Sequence, residues 1–204
     1  MEVQSFFLRK FIHRCYTVVY YGYSIKCGAW DMRKEQLTVA EALKFARHDF
    51  LNELQLILMH IDFGDTLKAR QAIMNTTDKM KQASMLYSLG LPKTEQWLVT
   101  FDWVHTAFQK TLSCTIERGS RKVNDIEVVA YLERVFQDVE NVLDPASEYE
   151  VQIDVQASPS NWSICIKINS ALDGKRNIPA AQIESFLVEE KIEENLWMFT
   201  ISGQ

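Results

Sequence analysis

The chain of 204 residues has room for one ordinary domain or two small ones, and its composition, 47% hydrophobic and 24% charged, describes a globular fold, not a disordered chain. A net charge of −5, with no stretch interleaving basic and aromatic residues, argues against a nucleic-acid interface. The four cysteines (Cys15, Cys27, Cys114, Cys165) are widely spaced without a CxxC pair, so reduced cytoplasmic thiols are expected, and neither a zinc site nor a disulfide framework.

Residues 1–31 carry a charge of +2 and residues 32–204 a charge of −7. The apolar run 15–23 is far shorter than the roughly 20 residues a membrane span needs. A basic start before a short apolar run has the outline of a signal peptide, but this run is aromatic, not leucine-rich, and no membrane association is expected. Met32 opens a clean amphipathic pattern, and Gly28-Ala29 can be encoded by a ribosome-binding-type stretch upstream of it. Met32 is therefore expected to be the initiator, and residues 1–34 are set apart as an extension with no assigned chemistry.

The first helix is predicted over 38–61, because Thr38 followed by Glu41 forms a capping box. Counting 100° per residue from Phe50, the apolar residues Leu43, Ala46, Leu54, Ile57 and Ile61 fall within about 40° of it. Leu51 and Leu58 flank that stripe at about 100° and 80°, and His48 lands near 160°, with Lys44, Asn52 and Gln55 on almost the same line. A structural histidine would sit in the stripe, whereas His48 faces solvent or a partner. Phe63-Gly64-Asp65 breaks the helix, with Gly64 suited to follow its end and Asp65 to cap the next helix, predicted over 66–89. Residues 35–91 thus form a helical hairpin. Two helices cannot enclose so wide an apolar arc, so a second copy is expected to complete a four-helix bundle as a homodimer.

Residues 92–204 read as a separate α/β domain. A helix is predicted over 95–110 with Trp97, Phe101, Val104 and Phe108 inward, and His105 is expected to be a packed core residue. A strand over 112–117, a turn at Gly119-Ser120 and a long helix over 125–143 follow. Two strands, 149–155 and 162–168, flank a turn. A short helix near 180–189 and a last strand over 196–201 complete a small α/β sandwich with helices on one face. The fold class is therefore α+β. No His/Cys/Asp/Glu spacing suggests a metal site, and His60 stands three turns beyond His48.

The string Ala46-Arg47-His48-Asp49-Phe50-Leu51-Asn52-Glu53-Leu54-Gln55-Leu56-Ile57 resembles the phosphoacceptor segment of the sporulation initiation phosphotransferase B family. It is also similar to that of the citrate and C4-dicarboxylate sensor histidine kinases. The order of elements after residue 92 looks like a shortened ATP-binding domain of histidine kinases. The kinase parts are missing, however. Phe136-Gln137-Asp138-Val139-Glu140-Asn141 lacks the expected asparagine pattern, and Gly174 is the only glycine between Gly119 and Gly203, leaving no glycine-rich nucleotide box or P-loop.

The resemblance implies a cytoplasmic phosphorelay phosphotransferase without autokinase activity, in sporulation initiation. A phosphoryl group would pass from an aspartyl phosphate on one response regulator to His48, and then to an aspartate on a second regulator. Such transfer depends mainly on positioning and charge neutralisation, because an acyl phosphate is already an activated donor. His48 is the expected nucleophile. Asn52 is placed to hydrogen-bond near the transferring group, and Asp49 to orient the imidazole. Lys44 and Arg47 are candidates to steady the phosphoryl charge, and Leu51, Gln55 and Leu58 to form the docking surface. Glu53 departs from the lysine usual in the family segments. No cofactor is expected on this chain, since the magnesium ion belongs to the regulator. The competing readings are a non-catalytic dimeric adaptor that binds regulators, and a sensor-kinase fragment, which would require ATP binding.

Overall fold

In a computed structural model of the protein, residues 37–144, 146–169, 185–193 and 196–204 are described. The extension 1–34, Cys15, Cys27 and the segment around Gly174 lie outside them. The described residues belong to one compact unit.

Helix α1 (Val39–Asp62) begins as its sequence dictates. The Thr38 hydroxyl accepts from the Glu41 N–H at 3.2 Å, and the Glu41 carboxylate accepts from the Thr38 N–H at 2.9 Å. These reciprocal bonds satisfy two donors that the first turn would otherwise leave unpaired. At the other end Gly64, at φ 71°, donates to the Ile61 carbonyl, and Asp65 donates to that of His60. This six-to-one, five-to-two pattern needs a left-handed residue, which glycine supplies without a steric penalty. Asp65 then caps helix α2 (Thr66–Leu86), accepting from the Lys68 N–H at 3.1 Å. The two helices are tied by Glu53, which accepts from the Thr76 hydroxyl at 3.0 Å and pairs with Lys79 at 2.9 Å.

The second helix stops at Leu86, three residues short of the predicted end. Ser88 and Leu89 donate to Met85 and Leu86, tightening the chain to a three-residue repeat, and Gly90 at φ 79° turns it away. Leu89 is nonetheless fully buried.

Helix α3 (Pro92–Val104) starts earlier and ends earlier than the predicted 95–110. Proline at its first position needs no N–H partner, and the exposed donors are met from elsewhere. Asp125 accepts from the backbone N–H groups of Lys93 and Thr94 (2.6 and 3.0 Å) and from the Thr94 hydroxyl (2.6 Å). His105 leaves the helix at φ −100°, ψ 66°, so Phe108 reaches the core from a strand instead of a helix turn. Helix α4 (Asp125–Glu140), capped by Asn124, buries Val128, Leu132, Val135, Phe136 and Val139. Val142 lies past its end and is exposed, against the predicted extension to 143.

Two further side-chain bonds tie α3 and its C-cap to α4. Trp97 Nε1 donates to Glu133 at 2.6 Å, and His105 Nδ1 meets Glu140 at 2.9 Å. His105 is a buried core residue, as expected, packed among Trp97, Phe101 and Phe136.

The strands are β1 (Phe108–Ile116), β2 (Tyr149–Ala157), β3 (Trp162–Asn169), β4 (Leu187–Glu193) and β5 (Leu196–Gly203), forming one sheet in the order β1-β2-β3-β5-β4. The β1–β2 pair is parallel with α4 as its crossover, and the other pairs are antiparallel. Alternation places Val151, Ile153 and Val155, Ile164, Ile166 and Ile168, and Trp197, Phe199 and Ile201 on one buried face, in register across three strands. Among the described residues helices cover that face only, as the sequence predicts for a two-layer sandwich, and the α+β class holds.

The short helix predicted near 180–189 is corrected where it can be seen. Residues 187–189 belong to β4, paired with β5, while 180–184 lie outside the described residues. Glu189, Glu190, Lys191 and Glu193 favour helix by local propensity and hide the alternation of a charged edge strand. No helix among the described residues is long and apolar enough to cross a membrane.

Candidate functional site

Helix α1 buries none of its residues, although it carries a long apolar stripe. Leu43, Phe50, Leu54 and Ile61 are all exposed, as are Leu51 and Leu58 beside them. One flank of α1 packs on α2 through Glu53, and the stripe itself remains open.

His48 projects from the far side of α1 with its side chain 59% exposed. Both of its described hydrogen-bonding contacts are made by Nδ1: Asp49 Oδ1 at 3.4 Å and Asn52 Nδ2 at 3.2 Å. No described residue hydrogen-bonds Nε2. The ring therefore presents one nitrogen to solvent and holds the other against its own helix. Asn52 sits one turn on, as its spacing requires. Asp49 reaches the imidazole even though neighbours on a helix diverge by about 100°, because its carboxylate swings back toward Nδ1.

Asp49 is itself held. Its Oδ2 accepts from Trp103 Nε1 at 2.8 Å, across 54 positions of chain. The Trp103 ring also stacks on Phe45, with centroids 5.8 Å apart and planes at 22°. Phe45, Asp49 and Asn52 lie on the flank of His48 that faces α3. Lys44, Arg47, Leu51, Gln55 and Leu58 lie on the opposite flank, all exposed. Among the described residues neither Lys44 nor Arg47 has an ion-pair partner.

The structure thus brings His48, Asp49 and Asn52 together and leaves the five other predicted residues on one open surface around the ring. Trp103 is the member that sequence reasoning missed. A signal did exist: Trp103 stands about 200° from Phe101 on a helix whose core side is Trp97, Leu98 and Phe101. A large aromatic on the wrong side of a helix needs a partner, but nothing local says which. Among the described residues no group of three or more His, Cys, Asp and Glu side chains is placed to hold a metal ion.

Comparison with known families falls on the same helices. Residues 32–89 match the family model described as the Sensor_kinase_SpoOB-type, alpha-helical domain. No curated protein matches the chain. Among solved structures, the chain is similar to the Acinetobacter baumannii histidine kinase AdeS, with 11% identity and a TM-score of 0.39 over 80% of this chain and 96% of that one. It is also similar to the catalytic domain of the histidine kinase ThkA, at 9% identity and 0.35 over 56% of this chain and 90% of that one. A third similar structure is ThkA in complex with response regulator protein TrrA, at 11% identity and 0.38 over 79% and 60% of the two chains.

Proposed function

We propose that the protein is a phosphorelay phosphotransferase. His48 takes a phosphoryl group from an aspartyl phosphate of one response regulator and passes it to an aspartate of a second, in the cytoplasm and in the initiation of sporulation. The observation that carries the reading is the exposed His48, whose Nε2 no described residue hydrogen-bonds, on a helix within the segment that matches the SpoOB-type helical domain. The Nε2 lone pair attacks phosphorus as the acyl phosphate's P–O bond breaks, and the electron pair leaves with the regulator's carboxylate. The donor is already an activated acyl phosphate, so the chain's task is placement. Asn52 is positioned beside the reacting ring, Asp49 on its other nitrogen, and Lys44 and Arg47 on the side where phosphoryl oxygens would arrive. Leu51, Gln55 and Leu58 form the surface against which a regulator docks, with the magnesium ion supplied by the regulator's own acidic pocket. A second copy of the chain covers the open stripe on α1, making a four-helix bundle with two such sites.

The test is a phosphoryl chase without ATP. A single-domain regulator carrying labelled aspartyl phosphate is mixed with wild-type protein and with His48→Gln. Label reaching wild type alone, and moving on to a second regulator, is the expected result. If neither protein takes label while both still bind the regulator, the chain is an adaptor. Transfer of label from ATP to His48 would instead identify a kinase.

A further inference from the structure

The contacts at His48 Nδ1 make opposite demands. A carboxylate only accepts, so pairing with Asp49 requires a proton on Nδ1. The Asn52 amide nitrogen only donates, so pairing with it requires a lone pair there and moves the ring proton to Nε2. Only the first arrangement leaves Nε2 with a lone pair that can attack phosphorus. Which one prevails depends on how firmly the Asp49 carboxylate is kept beside the ring. An exposed carboxylate on a helix surface is otherwise free to rotate into water.

We propose that Trp103 is a positioning residue whose indole N–H holds the Asp49 carboxylate against His48, keeping the imidazole proton on Nδ1 and the lone pair on Nε2. The proposal deepens the phosphotransfer reading and rests on it for its consequence, though not for its geometry. Trp103 occupies one carboxylate oxygen at 2.8 Å and leaves the other toward Nδ1. The indole cannot wander, because it stacks on Phe45 one turn before Asp49. Its helix cannot wander either, because Asp125 caps its start while Trp97 and His105 bond to Glu133 and Glu140. The α/β domain therefore reaches across to set the state of a ring on the hairpin. During transfer the Nδ1 proton stays in place, the new P–N bond forms at Nε2, and the positive charge that develops on the ring faces Asp49.

The decisive measurement is the tautomer of His48, read by long-range proton–nitrogen correlation in 15N-histidine-labelled full-length protein, with His48→Gln assigning the signal. The spectrum is taken at a pH where the ring is neutral. Wild type is expected mainly in the Nδ1–H form. Trp103→Phe keeps the stacking on Phe45 and removes only the donor. It should shift the ratio about three- to fivefold toward Nε2–H, the range expected from one exposed charge-assisted contact. Asp49→Asn is a second route that leaves α3 unaltered: its amide oxygen keeps the indole and its nitrogen turns to the ring, so Nε2–H should predominate. An unchanged ratio in Trp103→Phe overturns the proposal, whatever Asp49→Asn does. In the phosphoryl chase, Trp103→Phe should lower the transfer rate by a similar factor with regulator affinity unchanged, and a loss of affinity with no change in rate would overturn it. The two readings fail separately. A tautomer shift in a protein that never accepts label ends the phosphotransferase reading and leaves the positioning role intact. Normal transfer by Trp103→Phe with an unmoved tautomer ends the positioning role alone.

Discussion

Replacing Leu54 by aspartate should break the association of two hairpins while leaving each one folded. Leu43, Phe50, Leu54 and Ile61 keep 59%, 48%, 46% and 53% of their surface exposed, so each has about half its apolar surface left to bury. Full burial of such a side chain is worth about 1.5–3 kcal/mol, so the remaining half is worth about 1 kcal/mol. Ile73 and Met80, next to the α1-facing side of α2, are equally exposed. Six side chains counted twice in a two-fold dimer give about 12 kcal/mol of gross burial, set against an association cost of about 4–15 kcal/mol. That balance describes a dimer sensitive to single changes. The Leu54→Asp substitution would remove about 1 kcal/mol of burial and seat a carboxylate in an apolar seam, at about 1–3 kcal/mol more, in each copy. The total, about 4 kcal/mol or more per dimer, is about a thousandfold in dissociation constant. Sedimentation equilibrium measures it directly, and circular dichroism confirms that helix content is retained, as expected for a site already half in water. A wild-type protein that stays monomeric at about 100 µM, or a Leu54→Asp dimer within tenfold of wild type, would refute the reasoning.

Other consequences are as direct. Glu53→Lys, which restores the residue usual in the resembling segments, places like charges beside Lys79 and removes the acceptor of the Thr76 hydroxyl. It should cost about 1 kcal/mol in urea melts, and adding Lys79→Glu should recover the ion-pair part of that loss. Arg121, buried, donates to the carbonyls of Leu89, Ser158 and Glu117. Arg121→Met strands all three and should cost about 3 kcal/mol or more, while Arg121→Lys, with one compact ammonium, recovers less than half by the same denaturation assay. Burial pushes the Cys114 thiol from 9.0 up to about 11. Between those values the unfolded thiol ionises and the folded one does not. Its contribution is therefore complete below pH 9 and falls by about 2–3 kcal/mol as pH rises to 11. Comparing wild type with Cys114→Ser in urea melts at pH 8 and pH 10.5 isolates that loss, which the serine variant should lack.

The features that sequence exposes here are those whose causes are local. Thr38 with Glu41, Gly64 and Asp65 act within a few residues of themselves, and each appears where its chemistry demands. The buried alternation of β2 and β3 is equally direct, since every second residue is apolar. The errors occur where distant partners decide. Phe108 keeps helical spacing from Phe101 and Val104, yet belongs to β1 because β2 offers a parallel partner 41 positions away. Strand β4 exists because β5 pairs with it, not because its charges favour extension. At the site the same division holds. His48 and Asn52 are readable from one helix, but the hold of Trp103 on Asp49 joins two elements that no periodicity connects.

Helix α2 runs beside β1, one of the two edges of the sheet, and Gln82 Oε1 accepts from the Cys114 N–H at 2.6 Å. The opposite edge, β4, is defended by its own charges, whereas β1 shows Thr111, Ser113 and Thr115 to solvent and depends on the helix instead. The hairpin is thus no detachable cassette. Grafting it onto another protein, or expressing residues 92–204 without it, would uncover a strand with unspent donors and acceptors, ready to pair with its own kind. The hairpin and the sheet thus form one folding unit, in which the helix shields a strand edge from pairing with other chains.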